Sequence, residues 1–101
     1  LFPPTEENKP IGIWGQRHAR YLKQHYKVRY YNLLTSGKLN GYLADIDKQA
    51  EAMFSRLLEQ MAEHEGITEE LKAEHPMEWI GRMNALRESA VEIVNAEVIF
   101  A

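Results

Sequence analysis

The sequence predicts an all-α fold: a small helical bundle in which two long helices form an antiparallel hairpin and short basic N-terminal helices lie against it. Three observations carry this. Leu39, Leu43, Ile46, Ala50, Met53, Leu57 and Met61 recur at spacings of three and four, the period of one helix face, while Asp45, Asp47, Lys48, Glu51 and Glu59 fall off that seam. Ile80, Met83, Leu86, Ala90, Ile93, Val94 and Val98 make a second apolar face that reaches the C-terminus. Between the two runs stand Gly66, Thr68 and Pro76, residues that stop and restart helices within a short link, as an antiparallel return requires.

The elements follow in order. Leu1 to Pro10 holds three prolines and no apolar period, so residues 1–13 read as an extended arm that packs through Phe2 and Ile11, and residues 14–101 as a single helical domain. A helix is expected from about Gln16 to His25, with Ala19, Leu22 and Tyr26 on one side and Arg17, Arg20 and Lys23 largely elsewhere. A second, from about Lys27 to Thr35, takes its apolar content from Tyr30, Tyr31, Leu33 and Leu34, and Ser36-Gly37 stops it because glycine readily adopts the left-handed conformation of a helix end. The seam helix runs from Leu39 to about Glu65, where Gly66 ends it with Ile67 placed for the apolar contact of a Schellman cap. At 1.5 Å per residue it spans roughly 40 Å, long enough to make the molecule elongated. Thr68 is the expected N-cap of a short helix ending near Glu74, with Glu69 and Glu70 in its first turn. Pro76 suits the first position of the last helix, where its missing N–H has no intrahelical partner. Leu39, Ile46, Leu57, Trp79, Leu86 and Val94 are the expected core, with an exposed anchor for a partner as the alternative for Trp79.

Composition narrows the function classes. With 101 residues there is room for one modest core and none for separate cofactor and substrate domains. The absence of cysteine removes disulfides and thiolate metal sites and fits a cytoplasmic protein. No run approaches the roughly 18 apolar residues of a membrane span, and no signal peptide is visible, so a soluble intracellular protein is expected. The net charge of −3 conceals a division. Residues 1–41 carry seven basic and two acidic side chains, net +5; residues 42–101 carry five and thirteen, net −8. Such a chain can turn its cationic part to a polyanion while the acidic part is repelled, or pair head to tail with its own copies.

Tyr21-Leu22-Lys23, the block from Asn32-Leu33-Leu34 through Gly37-Lys38-Leu39, Leu43-Ala44-Asp45-Ile46-Asp47, Met77-Glu78-Trp79, Met83-Asn84 and Ala90-Val91-Glu92-Ile93-Val94 stand in an order and spacing that resemble the transposon-encoded protein TnpV family. The resemblance spans Arg20 to Phe100. It implies a protein of a bacterial mobile element and brings no catalytic residue with it. Relatives usually carry a further N-terminal segment, and this chain opens on Leu1 rather than Met, so a preceding segment is expected. Relatives often have a proline soon after the position of His25; here the run is Tyr26-Lys27-Val28, and the resemblance, more than these residues, implies a helix break near residue 26.

Catalytic chemistry is not expected. Asp45 and Asp47 are two apart on a helix and diverge, which makes them a poor metal pair. Tyr21, Tyr26, Tyr30 and Tyr31 lie near Arg17, Arg20, His25 and Arg29, but the chain is too short for a tyrosine-recombinase domain, and buried or stacking tyrosines are the simpler reading. His18 and His25 are two turns apart, too far to share a metal within one helix; His64-Glu65-Gly66 does not continue into a zincin motif. The histidines, with His75, are expected at the surface or at caps, and neither a metal nor a cofactor is expected.

The functional expectation falls on the basic, aromatic N-terminal region. Arg17, Arg20, Lys23, Lys27, Arg29 and Lys38 are the expected phosphate-binding residues, with Trp14, His18, Tyr21, His25, Tyr30 and Tyr31 as planar neighbours and Gln16, Gln24 and Asn32 able to read base edges. Arg17, Arg20 and Lys23 share one strip, and Lys38 opens the next helix, whose N–H groups can meet a phosphate. Against this, charge on a helix face is usually its solvated side, and aromatics are more often core. With the mobile-element resemblance, the expectation is a small DNA-binding or excision-assisting factor. The alternative is a helical module that dimerises through its long helices, or grips a transposase or other element protein, without touching DNA.

Overall fold

The computed structural model describes residues 11–100, so the arm expected over residues 1–13, including its packing through Phe2, lies up to Pro10 outside the described residues. Five α-helices and a terminal π-helical turn follow one another, with no strand among the described residues: α1 (Ile13–His25), α2 (Lys27–Thr35), α3 (Leu39–His64), α4 (Glu69–Glu74), α5 (Pro76–Val94) and the π turn Asn95–Ile99. The all-α bundle is as the sequence predicts, and α1 begins three residues earlier than the Gln16 expected.

Helix ends follow local chemistry. Gly37 and Gly66 take φ of 76° and 70°, the left-handed region that a residue with a Cβ avoids. At α3 the Gly66 N–H donates to Glu63 O at 3.2 Å and the Ile67 N–H to Ala62 O at 2.9 Å, the paired bonds of a Schellman end, and Ile67 is buried. Gly37 and Lys38 close α2 the same way on Leu34 O and Leu33 O. Thr68 Oγ1 accepts from the Leu71 N–H at 3.2 Å and caps α4.

Two elbows share one backbone geometry. His75, between α4 and α5, has φ −135° and ψ 69°; Tyr26, between α1 and α2, has φ −135° and ψ 60°. At His75 the cause is Pro76, whose ring excludes the helical conformation from the residue before it. At Tyr26 the same bend forms with Lys27 standing where the proline would. The break near residue 26 is therefore real, and it does not depend on a proline.

The long helix α3 is the spine. Helix α5 returns antiparallel to it, and α1 lies antiparallel along its N-terminal half, since Trp14 meets Glu51, Gly15 meets Asp47 and His18 meets Tyr42. Trp14, Ala50, Val94 and Ile99 form the core, with Ile46, Met53, Phe54, Leu57, Val91 and Val98 packed round it. The middle of the α3 seam, from Ile46 to Leu57, is thus packed within the chain. The molecule measures 57 × 28 × 18 Å with a radius of gyration of 17.6 Å, against about 13 Å for a compact domain of this length.

Several placements differ from expectation. Of the six expected core residues, Leu86 and Val94 are buried, and Leu39, Ile46, Leu57 and Trp79 are half-buried because the bundle is thin. Ile80 and Ile93, which the helical period assigns to the buried face of α5, are exposed: the contact stripe on α3 is narrower than the apolar face, and it runs through Leu86, Ala90 and Val94. On α1 the buried face is Trp14, Gly15, His18 and Leu22, and Tyr26, placed by sequence beside Leu22, is exposed because the elbow turns it away.

Candidate nucleic-acid interface

The basic helix α1 is held by two carboxylates of α3. Its N-cap is Gly12, which has no side chain to offer, and its first turn contains no acidic residue. Asp47 substitutes from across the interface: its Oδ1 accepts from the Gly15 N–H at 3.0 Å, satisfying an orphan donor and placing negative charge at the positive end of α1. One turn later Glu51 Oε2 accepts from Trp14 Nε1 at 2.9 Å. Helices α1 and α3 meet closely at Gly15, where a Cβ would lie 2.9 Å from the Leu43 backbone oxygen and 2.4 Å from Ile11 Cγ2.

His18 fastens three segments. It is 5% exposed, with Nδ1 2.7 Å from Ile99 O and Nε2 3.0 Å from the Tyr42 hydroxyl. A carbonyl only accepts, so Nδ1 carries the proton; in the neutral ring Nε2 then accepts from Tyr42. The expectation of surface or capping histidines fails here, because the partner is a backbone oxygen 81 positions away. Trp14 and His18 are accordingly buried supports of α1, not surfaces for a nucleic acid.

The six expected phosphate-binding cations separate into engaged and free. Arg17 Nη1 donates to Asn95 Oδ1 at 2.8 Å, and its guanidinium lies 5.3 Å from the centre of the Trp14 ring, so this side chain ties α1 to the π turn. Arg29 lies 5.5 Å from the Tyr42 ring centre. Arg20, Lys23, Lys27 and Lys38 are exposed, and none of the six is ion-paired among the described residues, where the one ion pair is Arg82–Glu78. From Ile11 to Ala44 the chain has no carboxylate.

Two open grooves adjoin at the C-terminal end of α1. One, of about 460 Å³, is lined by Arg17, Arg20, Tyr21, Gln24, His25 and Phe100. The other, of about 910 Å³, lies in the elbow between α1 and α2, where Lys27 and Arg29 stand with Tyr26, Val28, Asn32 and Leu33; Gln24 and His25 line both. The structure thus brings Arg17 with Arg20 and Lys27 with Arg29, and leaves Lys23 and Lys38 outside the grooves. Tyr21 packs against His25, Tyr26 and Phe100, with ring centres 5.0, 5.7 and 5.3 Å away. A hydrogen bond with Tyr26 is the main reason its phenol stays protonated above the usual tyrosine range. Of the three residues expected to read base edges, Gln16 instead donates to Ile11 O at 3.0 Å, while Gln24 and Asn32 remain exposed in the elbow.

Residues 1–99 match the model of one family, described as transposon-encoded protein TnpV. The chain belongs to the TnpV family. No curated protein and no solved structure matches it significantly. As a TnpV-family protein it comes with a mobile-element origin, and its described residues include no helix long and apolar enough to cross a membrane. The part that Asp47, Glu51, Tyr42 and Asn95 play in mounting α1 is not legible in the sequence. Each is polar and lies beside the apolar seam of its helix, a position that in a sequence looks like a solvated flank.

Proposed function

We propose that this chain is a non-catalytic accessory factor of a mobile element, which binds DNA through the outer surface of α1 and the elbow and assists an element-encoded recombinase in excision. One observation carries the reading: Arg20, Lys23 and Lys27 are exposed around the end of α1 on a surface where the local sequence from Ile11 to Ala44 contains no carboxylate. Unpaired cations of this kind gain by contacting phosphates, because each contact releases condensed counterions. Gln24 and Asn32 in the elbow supply the donors and acceptors that a base edge would need. The acidic α4–α5 end is repelled by the same polyanion, so the rod binds by its basic end. The mobile-element family supports the context of excision and not the chemistry of contact.

The test is fluorescence anisotropy of the purified protein with a labelled duplex over a range of salt. Binding that weakens steeply as salt rises supports the proposal; no binding at low salt sinks it.

A second reading, a protein-interaction module that grips a transposase or other element protein, is favoured by a separate observation. Helix α2 has no buried residue, and it exposes Val28, Tyr31 and Leu34. An apolar helix face left in water is the mark of a surface awaiting a partner.

A further inference from the structure

Two exposed apolar patches lie at opposite ends of the rod, and their surroundings carry opposite charge. On α2, Lys27, Val28, Tyr31 and Leu34 fall within an arc of about 120°, and Val28 is 76% exposed. Arg29 points away from that arc, toward Tyr42. Lys23 and Lys38 stand exposed at either end of this region. At the far end, Met77, Ile80, Asn84 and Glu88 share an arc of about 80° on α5, centred about 120° from its buried stripe. Met77 is 81% exposed, and Gly81 beside it opens onto empty space. This end is acidic on balance: exposed Glu69, Glu70, Glu74, Glu78 and Glu88 outnumber exposed Lys72, Arg82 and Arg87, with Glu78 paired to Arg82.

Neither patch can cover the other within one chain. Helix α2 sits at the N-terminal end of α3, and the α4–α5 corner at its C-terminal end, roughly 40 Å away along a 26-residue helix. We infer that copies of this chain associate head to tail, the α2 face of one copy seating on the α4–α5 corner of the next. A second copy is then the definite partner of the protein-interaction reading, and its seating does not depend on DNA. Charge complementarity selects it: lysines meet glutamates in this orientation, whereas two α2 faces or two α4–α5 corners would meet like with like. The interface is heterologous, so a pair of copies retains one free patch of each kind, and assembly proceeds to rings or open chains rather than stopping at a symmetric dimer.

The test is the solution mass of the full chain, by sedimentation or light scattering without DNA, for wild type and two complementary variants. V28D/L34D removes the α2 face, and M77D/I80D removes the corner; all four residues are exposed, and far-UV circular dichroism shows whether helicity is retained. The expected result is a wild-type mass that rises with concentration beyond that of a dimer, two variants that are each monomeric alone, and a one-to-one dimer when they are mixed. A wild type that stays monomeric, a dimer of fixed mass, a variant that still self-associates, or a mixture that remains monomeric overturns the inference. If either variant loses helicity, the pair K23E/K27E and E70K/E74K replaces it under the same criteria. Failure of DNA binding in the anisotropy experiment leaves these masses unchanged, so the two readings fail separately.

Discussion

Nδ1 of His18 lies 2.7 Å from the backbone oxygen of Ile99, which fastens the last turn of the chain to the middle of α1. Both partners are buried, and Nε2 of the same ring is held by the Tyr42 hydroxyl. One imidazole therefore joins α1, α3 and the π turn, and with them the cationic surface to the core.

Replacing His18 by Phe keeps an aromatic ring, strands the buried Ile99 carbonyl without a partner and leaves the half-buried Tyr42 hydroxyl to water. The expected loss of stability is about 1–3 kcal/mol, the cost of one buried group left unsatisfied. Urea unfolding followed by circular dichroism measures it. An unchanged midpoint would show that the His18 bonds do not hold α1.

Asp47 is predicted to act as the N-cap that Gly12 cannot be. Asp47→Ala removes the acceptor for the Gly15 N–H and the charge at the helix terminus, at a cost of about 1 kcal/mol. Asp47→Asn keeps an acceptor oxygen and loses less. Equal losses in the two variants would mean that charge alone matters, and no loss in either would remove the capping role.

The Tyr26 elbow yields a stabilising prediction. Lys27 opens α2, where no intrahelical partner awaits its N–H, and Tyr26 already has the conformation that Pro76 imposes on His75. Lys27→Pro should therefore be accommodated without strain and stabilise the fold by about 0.4–1 kcal/mol through the unfolded chain. Lys27→Ala in the same unfolding series separates the backbone effect from removal of the charge. Destabilisation by proline relative to alanine would show that the two elbows differ.

Much of this fold is legible in the sequence because its signals are local. Gly37, Gly66, Thr68 and Pro76 set helix ends through bonds within a few residues, and the seam from Leu39 to Met61 has one period throughout. The start of α1 is misplaced by sequence because its cap, Asp47, comes from a helix 32 positions later. His18 and Trp14 look like surface residues amid arginines, and their burial depends on Ile99, Tyr42 and Glu51, partners that no window of sequence contains. Ile80 and Ile93 fit the helical period of α5 but lie beyond the width of the groove that α3 offers. The π turn at Asn95–Ile99 has no sequence signature, and it is this turn that brings Asn95 to Arg17. The cations themselves are legible in sequence; which of them are engaged is not.

That last distinction gives the most direct measurement of the basic surface: the salt dependence of duplex binding for wild type, for R20A/K23A and for R17A. Arg20 and Lys23 are exposed without an ion-pair partner among the described residues, so their removal should weaken binding and lower the slope of log affinity against log salt by about 0.9 for each phosphate that is no longer neutralised. Arg17 is committed to Asn95 and Trp14, so R17A should lower stability more than it lowers that slope. A wild-type slope near zero, or a slope unchanged in R20A/K23A, would contradict the assignment of this surface to DNA.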